Sequence, residues 1–159
     1  MYAIGLDYGT NSVRSIVADC QTGAVLGSGI YEYVHGTQGI IEDLKDPNIA
    51  RQHPADYLTG LESTITSALC EAKVSGKDVI GIGVDATAST PIPLDNQGQP
   101  LAFCPSFSDN LAAMAWLWKD HTSIVEAKEI TERAIAMRPA YMAACGGAYS
   151  SEWFWAKVL

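Results

Sequence analysis

The sequence lacks the patterns that mark several common functional sites. Its four cysteines are far apart and form no CxxC pair, which argues against a structural zinc site and against a disulfide framework. It has no GxxxxGKS/T loop, no HExxH, no GxSxG and no GxGxxG, so those catalytic and nucleotide-binding signatures are missing. Its three histidines show no metal-ligand spacing.

Basic residues are also scarce: ten Lys and Arg face eighteen Asp and Glu, a net charge of −8. No basic block relieves this balance, so nucleic acid and anionic membranes are poor candidates for partners. There is no long apolar run and no basic leader, which predicts neither a signal peptide nor a membrane span and favours a cytoplasmic location. With 48% hydrophobic residues, 159 residues can fill the core of one ordinary domain.

The chain opens with a strand–turn–strand pattern between residues 2 and 18. A short apolar run reaches the carboxylate of Asp7, turns at Gly9-Thr10-Asn11, and continues as a second apolar run from Val13. Backbone N–H groups in a tight turn can donate to phosphate oxygens, so this turn is a candidate phosphate site. An ordinary hairpin in which Gly9 and Asn11 supply positive φ angles is the alternative interpretation.

Side chains around this turn add to the candidate phosphate site. The hydroxyls of Thr10 and Ser12 can donate to phosphate oxygens, and Arg14 can contribute a cation. Asp7 stands where it could hold Mg²⁺ directly or through water, because that hard cation prefers carboxylate and water oxygens.

The remaining pattern up to residue 90 predicts a mixed α/β sheet. A third strand over 25–34 completes a meander, and apolar residues at helical spacing predict a helix from Pro54 that ends at Ser75-Gly76. The almost wholly apolar run 79–84 predicts a strand that lies beside the first and is covered on both faces. Asp7 and Asp85 would then both lie at carboxyl ends of strands, where open α/β sheets bind ligands.

Beyond residue 90 the pattern predicts a hairpin and then helices. The hairpin covers 91–104, a helix over 111–119 is capped by Asp109 or Asn110, and a longer helix begins with a Ser123–Glu126 capping box and ends before Pro139. Another helix starts after Gly146-Gly147, in the stretch 150–159. That last helix has no stop signal, so the chain is expected to be a fragment of a longer protein.

Two further stretches carry groups suited to ligand binding. Residues 83–90 combine a strand end with small and hydroxyl side chains, which leave room for a ligand; a tight strand exit is the alternative. The cluster Trp118-Lys119-Asp120-His121 places an indole beside a cation and a carboxylate, a combination that suits a sugar. An ordinary helix end, with Trp118 in the core, explains the same residues.

The string from Gly5 to Arg14 resembles the phosphate hairpin that opens the FGGY family of carbohydrate kinases. The stretches 83–90, 118–121 and 150–154 resemble the ribulokinase branch of that family. The resemblance implies the actin-like ATPase (ribonuclease H-like) fold, an α/β fold with a mixed sheet and flanking helices. It further implies that residues 1–159 are an incomplete N-terminal domain, with the rest of this lobe and an adenosine-binding lobe beyond Leu159.

By that resemblance the parent protein transfers a phosphoryl group from ATP, with Mg²⁺, to L-ribulose and forms L-ribulose 5-phosphate in L-arabinose catabolism. The resemblance places Asp7 in the magnesium and phosphate environment. It places four residues around the transferring γ-phosphoryl group: Thr10, Asn11, Ser12 and Arg14. It assigns five residues to the ketopentose pocket or its surroundings: Thr87, Ala88, Trp118, Lys119 and Asp120.

The same resemblance puts the general base, an aspartate, beyond Leu159. No catalytic residue is therefore assigned within this chain, and the chain alone is expected to be inactive. The expected partners are the sugar and ATP, with a homo-oligomer possible and neither nucleic acid nor membrane involved. A kinase of D-ribulose, D-xylulose or glycerol, and a non-enzymatic actin- or Hsp70-like nucleotide switch, remain as alternatives.

Overall fold

The computed structural model describes all residues from 1 to 159, and these fall into two compact units. The first unit comprises residues 1–40 and 52–87, and the second comprises residues 41–51 and 88–159. No helix in either unit is long and apolar enough to cross a membrane.

Four strands precede the first α-helix, two more strands follow it, and the last three α-helices come at the end of the described chain. The strands are β1 Tyr2–Tyr8, β2 Ser12–Asp19, β3 Val25–Glu32, β4 Arg51–Gln52, β5 Val79–Ala86 and β6 Ala115–Trp116. The α-helices are α1 Pro54–Ala72, α2 Ile124–Met137, α3 Pro139–Ala144 and α4 Phe154–Val158. Short 3₁₀ turns cover Gly76–Asp78, Leu101–Phe103 and Leu111–Ala113.

The first unit is built on a four-stranded sheet in the order β3-β2-β1-β5. The strands β1, β2 and β3 are antiparallel neighbours, and β5 runs parallel to β1 on its other side. The predicted meander and the predicted place of the fourth strand are both confirmed. Because β5 runs parallel to β1, the carboxyl ends of these two strands lie at the same edge of the sheet.

Helix α1 packs closely on β2 and β3. Its start at Pro54 is confirmed, and the side chain of His53 caps it by accepting from the Ala55 N–H at 3.1 Å. Its end was predicted too late: the helix stops at Ala72, because Lys73 adopts a left-handed φ of 54° and its N–H closes the last turn. Two glycines of β3, Gly27 and Gly29, permit the close packing of helix on strand.

The apolar side chains of β5 are exposed, contrary to the prediction that both faces of this strand are covered. Ile80, Ile82 and Val84 are 57–64% exposed. Ile4 and Leu6, the partners of Ile82 and Val84 on β1, are buried. Helix α1 packs mainly on β2 and β3, and of β5 only Val79, its first residue, packs against the apolar cluster beneath the helix.

The second unit is less regular than predicted. The predicted hairpin over 91–104 is reduced to one bridge between Leu94 and Pro100. The predicted helix over 111–119 is wrong: Asn110 caps only a 3₁₀ turn, and the chain then enters β6. The physical reason is long-range pairing, since the N–H groups of Trp116 and Leu117 donate to the carbonyls of Pro91 and Ala50 rather than within a helix.

The helices of the second unit agree better with prediction. Helix α2 occupies the predicted stretch and ends before Pro139, which occupies the first turn of α3. The predicted capping box is not formed, because the Ser123 side chain makes no capping bond. The last helix starts at Phe154 rather than near residue 150. A small core joins these helices through Ala127, Met142, Tyr149 and Ala156.

Candidate functional site

Three charged side chains lie in one row across the sheet of the first unit. Asp7 on β1 is the register partner of Arg14 on β2 and of Asp85 on β5. Paired residues of neighbouring strands point to the same face of a sheet, and all three residues are exposed on the face opposite α1. The row thus brings two carboxylates and a guanidinium together at the carboxyl ends of β1 and β5.

An open concavity of about 540 Å³ lies beside this row. Asp7, Arg14 and Asp85 line it together with Gly5 and Gly83, which are themselves a register pair. A Cβ atom added at Gly83 would meet nothing within 4 Å, so the space beside this glycine is open. Without a side chain there, the Gly83 backbone is accessible from the concavity. A space of this size, with two carboxylates and one cation at its edge, can take a phosphate group together with a cation.

The turn between β1 and β2 is held in place from outside. Within it, the Gly9 N–H donates to the Ser12 carbonyl at 2.9 Å, which closes the turn. The buried Gln52 side chain donates to the Thr10 carbonyl at 2.7 Å and accepts from the Tyr57 hydroxyl at 2.6 Å. The turn is therefore fixed in the folded chain.

The predicted phosphate residues differ in how they are engaged. The Asn11 amide donates to the Gln38 carbonyl at 2.7 Å, so part of its hydrogen-bonding capacity holds the turn. Ser12 is buried at the start of β2, Thr10 is half-buried, and Arg14 is exposed beside the concavity. The contact of these side chains with phosphate stays a prediction, as does the Mg²⁺ role of Asp7.

The predicted sugar residues are divided between the two units. Thr87 belongs to the first unit, where its N–H donates to the Tyr8 carbonyl at 3.1 Å directly after β5. Ala88, Trp118, Lys119 and Asp120 belong to the second unit. Ala88 is exposed, Trp118 is 40% exposed and Lys119 is half-buried, whereas Asp120 is fully buried.

The buried Asp120 is engaged by protein groups. It forms an ion pair with Arg51, and its carboxylate accepts from the Ala50 N–H at 2.8 Å and from the Thr122 hydroxyl at 2.6 Å. Burial on its own would raise the pKa of Asp120, but the bonds from Arg51, Ala50 and Thr122 outweigh it and hold this pKa below its ordinary value. The carboxylate therefore holds the 117–122 loop, and its predicted sugar contact would need that arrangement to change.

Arg51 is the partner that sequence reasoning missed. Its Nε donates to the Leu111 carbonyl at 3.1 Å, and its guanidinium lies 3.6 Å from the centre of the Trp116 ring. Stacking of this kind adds a cation–π attraction to the ion pair with Asp120. No local pattern around Arg51 signals this role, because its partners come from distant parts of the chain.

A second buried cation, Lys157, was also missed. Its side chain is 7% exposed, and its Nζ donates to the carbonyls of Ser89, Leu117 and Trp118 at 2.8, 2.7 and 3.2 Å. Burial lowers the pKa of Lys157 to about 8, although the nearby Asp120 carboxylate opposes that change. Lys157 stands among apolar residues in the stretch 153–159, but no local pattern indicates its role, because its carbonyl partners are distant in the sequence.

The family profile for the N-terminal domain of the FGGY family of carbohydrate kinases matches residues 2–141. The chain belongs to this family. The match includes both the turn between β1 and β2 and the 117–122 loop.

Curated relatives of this FGGY chain include two ribulokinases. The chain is 42% identical over 159 residues to the ribulokinase of Vibrio parahaemolyticus, covering 99% of the chain and 28% of that relative. It is 39% identical over 163 residues to the ribulokinase of Shouchella clausii, covering 99% and 29%. The chain thus spans less than a third of the length of these relatives.

Solved structures confirm the FGGY fold. A xylulose kinase from Bifidobacterium adolescentis matches 99% of the chain with a TM-score of 0.68 and 19% identity, over 28% of its own length. A xylulose kinase from Rhodospirillum rubrum matches 90% with a TM-score of 0.65 and 20% identity, over 25% of its length. The actin-like ATPase fold, with a mixed sheet and flanking helices, is therefore confirmed, and this chain represents its N-terminal part.

Carbohydrate kinases of this family use ATP with a divalent metal ion, and the residues at the end of β1 fit such an ion. Asp7 offers an exposed carboxylate, the oxygen donor that Mg²⁺ prefers, and Asp85 offers a second beside it. No group of three or more metal-ligating side chains exists in the chain, so water and phosphate oxygens would complete the shell of an ion that binds here.

Proposed function

We propose that this chain supplies the phosphate hairpin and part of the sugar pocket of an ATP-dependent kinase that converts L-ribulose to L-ribulose 5-phosphate. The observation that carries the chemistry is the row of Asp7, Arg14 and Asp85 beside the open concavity. The choice of sugar rests on the relatives called ribulokinase, which align with 99% of the chain.

The row and turn have the properties that phosphoryl transfer needs. Transfer of the γ-phosphoryl group requires alignment and charge neutralisation more than covalent help from the protein. Arg14 would oppose the charge on the phosphate oxygens, and Thr10, Asn11 and Ser12 would orient them from the fixed turn. Bound at Asp7, Mg²⁺ would neutralise further phosphate charge.

The second unit would contribute the sugar side of the reaction. Trp118 would present an indole face to the sugar C–H groups, and Lys119 would hydrogen-bond a sugar hydroxyl. Ala88 would leave space around the ketopentose, as would Thr87, the last residue of the first unit. Asp120 would act near the sugar by fixing the loop that carries Trp118, since its own carboxylate is held by Arg51.

We further propose that residues 1–159 are the N-terminal part of a larger kinase domain. The support is the share of the curated relatives that the chain covers, 28–29%. The general base and the adenosine-binding lobe would then lie in the part of the protein after Leu159. The whole protein would be a cytoplasmic enzyme of L-arabinose catabolism.

ADP release by the full-length protein with MgATP tests this function. We expect release to depend on added sugar and to be strongest with L-ribulose among L-ribulose, D-ribulose, D-xylulose and glycerol. A strongest response to another sugar would reassign the substrate within the family. Release that is indifferent to all four would instead favour a nucleotide switch and discard the kinase.

Two matched variants locate the chemistry. Asp7→Asn should lower kcat by at least about 100-fold, because it removes a charged group from the phosphate site. Asp109→Asn removes a carboxylate from an exposed position in the second unit and should leave kcat unchanged. Equal effects of the two substitutions would contradict the assignment of Asp7.

A further inference from the structure

Lys157 has an environment that is unusual for a lysine. A buried ammonium is normally paired with a carboxylate, because removal of an unpaired charge from water is costly. Here all three N–H donors of the ammonium point to backbone carbonyls, those of Ser89, Leu117 and Trp118. The lysine therefore satisfies its full donor capacity with main chain from two separate segments.

Both segments carry residues of the proposed sugar pocket. Ser89 directly follows Ala88, and Leu117 and Trp118 directly precede Lys119. One ammonium thus fixes the separation between the backbone that carries Ala88 and the backbone that carries Trp118. A second link joins the same regions, since the Trp116 N–H donates to the Pro91 carbonyl at 2.9 Å.

The backbone at Ser89 gives an independent reason to regard this arrangement as imposed. Ser89 has a φ of +58°, in the left-handed region that residues other than glycine rarely adopt. A conformation of this kind persists only where the surroundings hold it, and such residues concentrate at ligand sites. The bond from Lys157 to the Ser89 carbonyl is one of the contacts that hold it.

The opposite side of the loop is fixed by different groups. Asp120, engaged by Arg51, anchors the loop after Lys119, whereas Lys157 anchors it before Lys119. Only the indole of Trp118 and the side chain of Lys119 are left partly accessible between these two anchors. The loop is thereby fixed at both ends around the residues that would touch a sugar.

We infer that Lys157 is a positioning residue for sugar binding, which sets the distance between the Ala88 segment and the Trp118 loop through its three carbonyl bonds. This inference rests on the proposed sugar-kinase function. Lys157 itself would not contact the sugar, because its three donors are all used by main chain.

The test measures steady-state kinetics of the full-length protein carrying Lys157→Met, Lys157→Arg or the control Lys128→Met. Met keeps the length and apolar stem of lysine without its donors, and Arg restores a cation with several N–H donors. Lys128 is an exposed lysine of α2 in the same unit. We expect Lys157→Met to raise KM for L-ribulose about tenfold or more, with kcat and KM for MgATP changed less than about threefold.

Lys157→Arg should recover part of the lost sugar affinity, and Lys128→Met should match the wild type. A purely structural lysine predicts a different result, namely less active protein with an unchanged KM for sugar. That result, or an equal rise of KM for sugar and for MgATP, would overturn the positioning role.

Hydrogen exchange keeps the inference testable if the protein is not a sugar kinase. Lys157→Met should speed amide exchange in the peptides covering residues 88–92 and 116–121, while Lys128→Met should not. Unchanged exchange in both peptides would refute the inference whatever the activity. A wild type without sugar-dependent ADP release, but with the expected exchange, would refute the proposed function and retain the link that Lys157 makes.

Discussion

The two units are held by different kinds of interaction. In the first, α1 and the sheet meet through apolar side chains and through glycines that admit close backbone contact. In the second, beside a small apolar core, Arg51, Asp120 and Lys157 are enclosed and hold irregular backbone through one ion pair and several hydrogen bonds. The first unit therefore follows local sequence patterns, whereas the second depends on partners that are distant in the chain.

The largest effect should come from breaking the buried ion pair of the second unit. Asp120→Asn leaves the Arg51 guanidinium enclosed without its counter-charge, and this should lower the free energy of unfolding by about 3–5 kcal/mol. Native-state hydrogen exchange of second-unit amides measures the loss. Asp109→Asn, at an exposed aspartate of the same unit, is the control, and a loss as small as the control's would show that the pair is not needed.

The corresponding test in the first unit uses backbone packing. A Cβ atom at Gly29 would lie 2.3 Å from the Thr64 carbonyl oxygen, so Gly29→Ala must push α1 away from β3. Overpacking of this kind should cost about 1–3 kcal/mol, read as faster amide exchange in α1. Gly81→Ala on β5 is the matched control, because its Cβ would meet nothing within 4 Å. Equal exchange in the two variants would mean that the close approach contributes nothing.

A smaller effect, specific to the second unit, is a change of folding stability with pH in the alkaline range. Burial lowers the pKa of Lys157 from 10.5 to about 8, so between these values the unfolded chain binds more protons than the folded one. Stability contributed through this group therefore rises with pH across that window, with a slope of at most about 1.4 kcal/mol per pH unit. Asp120, Arg51 and Glu152 are the charged groups that act on Lys157.

Urea unfolding at several pH values checks this dependence. The wild-type curve should gain stability relative to Lys157→Met as the pH rises from 8 to 10.5. Parallel curves for the two proteins would mean that Lys157 titrates as an exposed lysine does.

The smallest effect is expected at the surface of α2. Glu129 and Arg133 form an exposed ion pair one helical turn apart, at 2.5 Å. Glu129→Gln should cost only about 0.3–0.5 kcal/mol, and 0.5 M salt should remove most of that difference. A loss comparable with that of Asp120→Asn would erase the distinction between enclosed and exposed charges.

The difference between the units also explains what sequence reasoning could predict. The strands β1 to β3, helix α1 and the place of β5 follow from apolar periodicity and turn residues, which are local. The exposure of β5 was missed because an apolar run predicts burial without naming what covers it. The helix predicted over 111–119 was wrong because the partners of Trp116 and Leu117, at Pro91 and Ala50, lie far away in the sequence.

The candidate site follows the same rule. The alignment of Asp7 with Arg14 is a consequence of a short turn between two strands, and the sequence supplied both residues. Asp85 was predicted at the carboxyl end of a strand beside the first, and the parallel pairing of β5 with β1 places it opposite Asp7. Arg51 and Lys157 could not be found, because a buried cation is recognisable only once its distant carbonyl and carboxylate partners are in place.

The braced turn between β1 and β2 has a consequence for how a ligand would arrive. Two bonds hold Asn11: its side-chain amide donates to the Gln38 carbonyl, and its carbonyl accepts from the Tyr33 N–H. A third bond runs from the Gln52 side chain to the Thr10 carbonyl. Fixing the backbone of one residue costs about 1–2 kcal/mol of conformational entropy. In this turn the backbone is already ordered when the chain folds, so ligand binding does not add that cost. A phosphate group would therefore bind to a turn that is already ordered. Calorimetry of phosphate-ligand binding should show little unfavourable entropy from ordering of the protein chain.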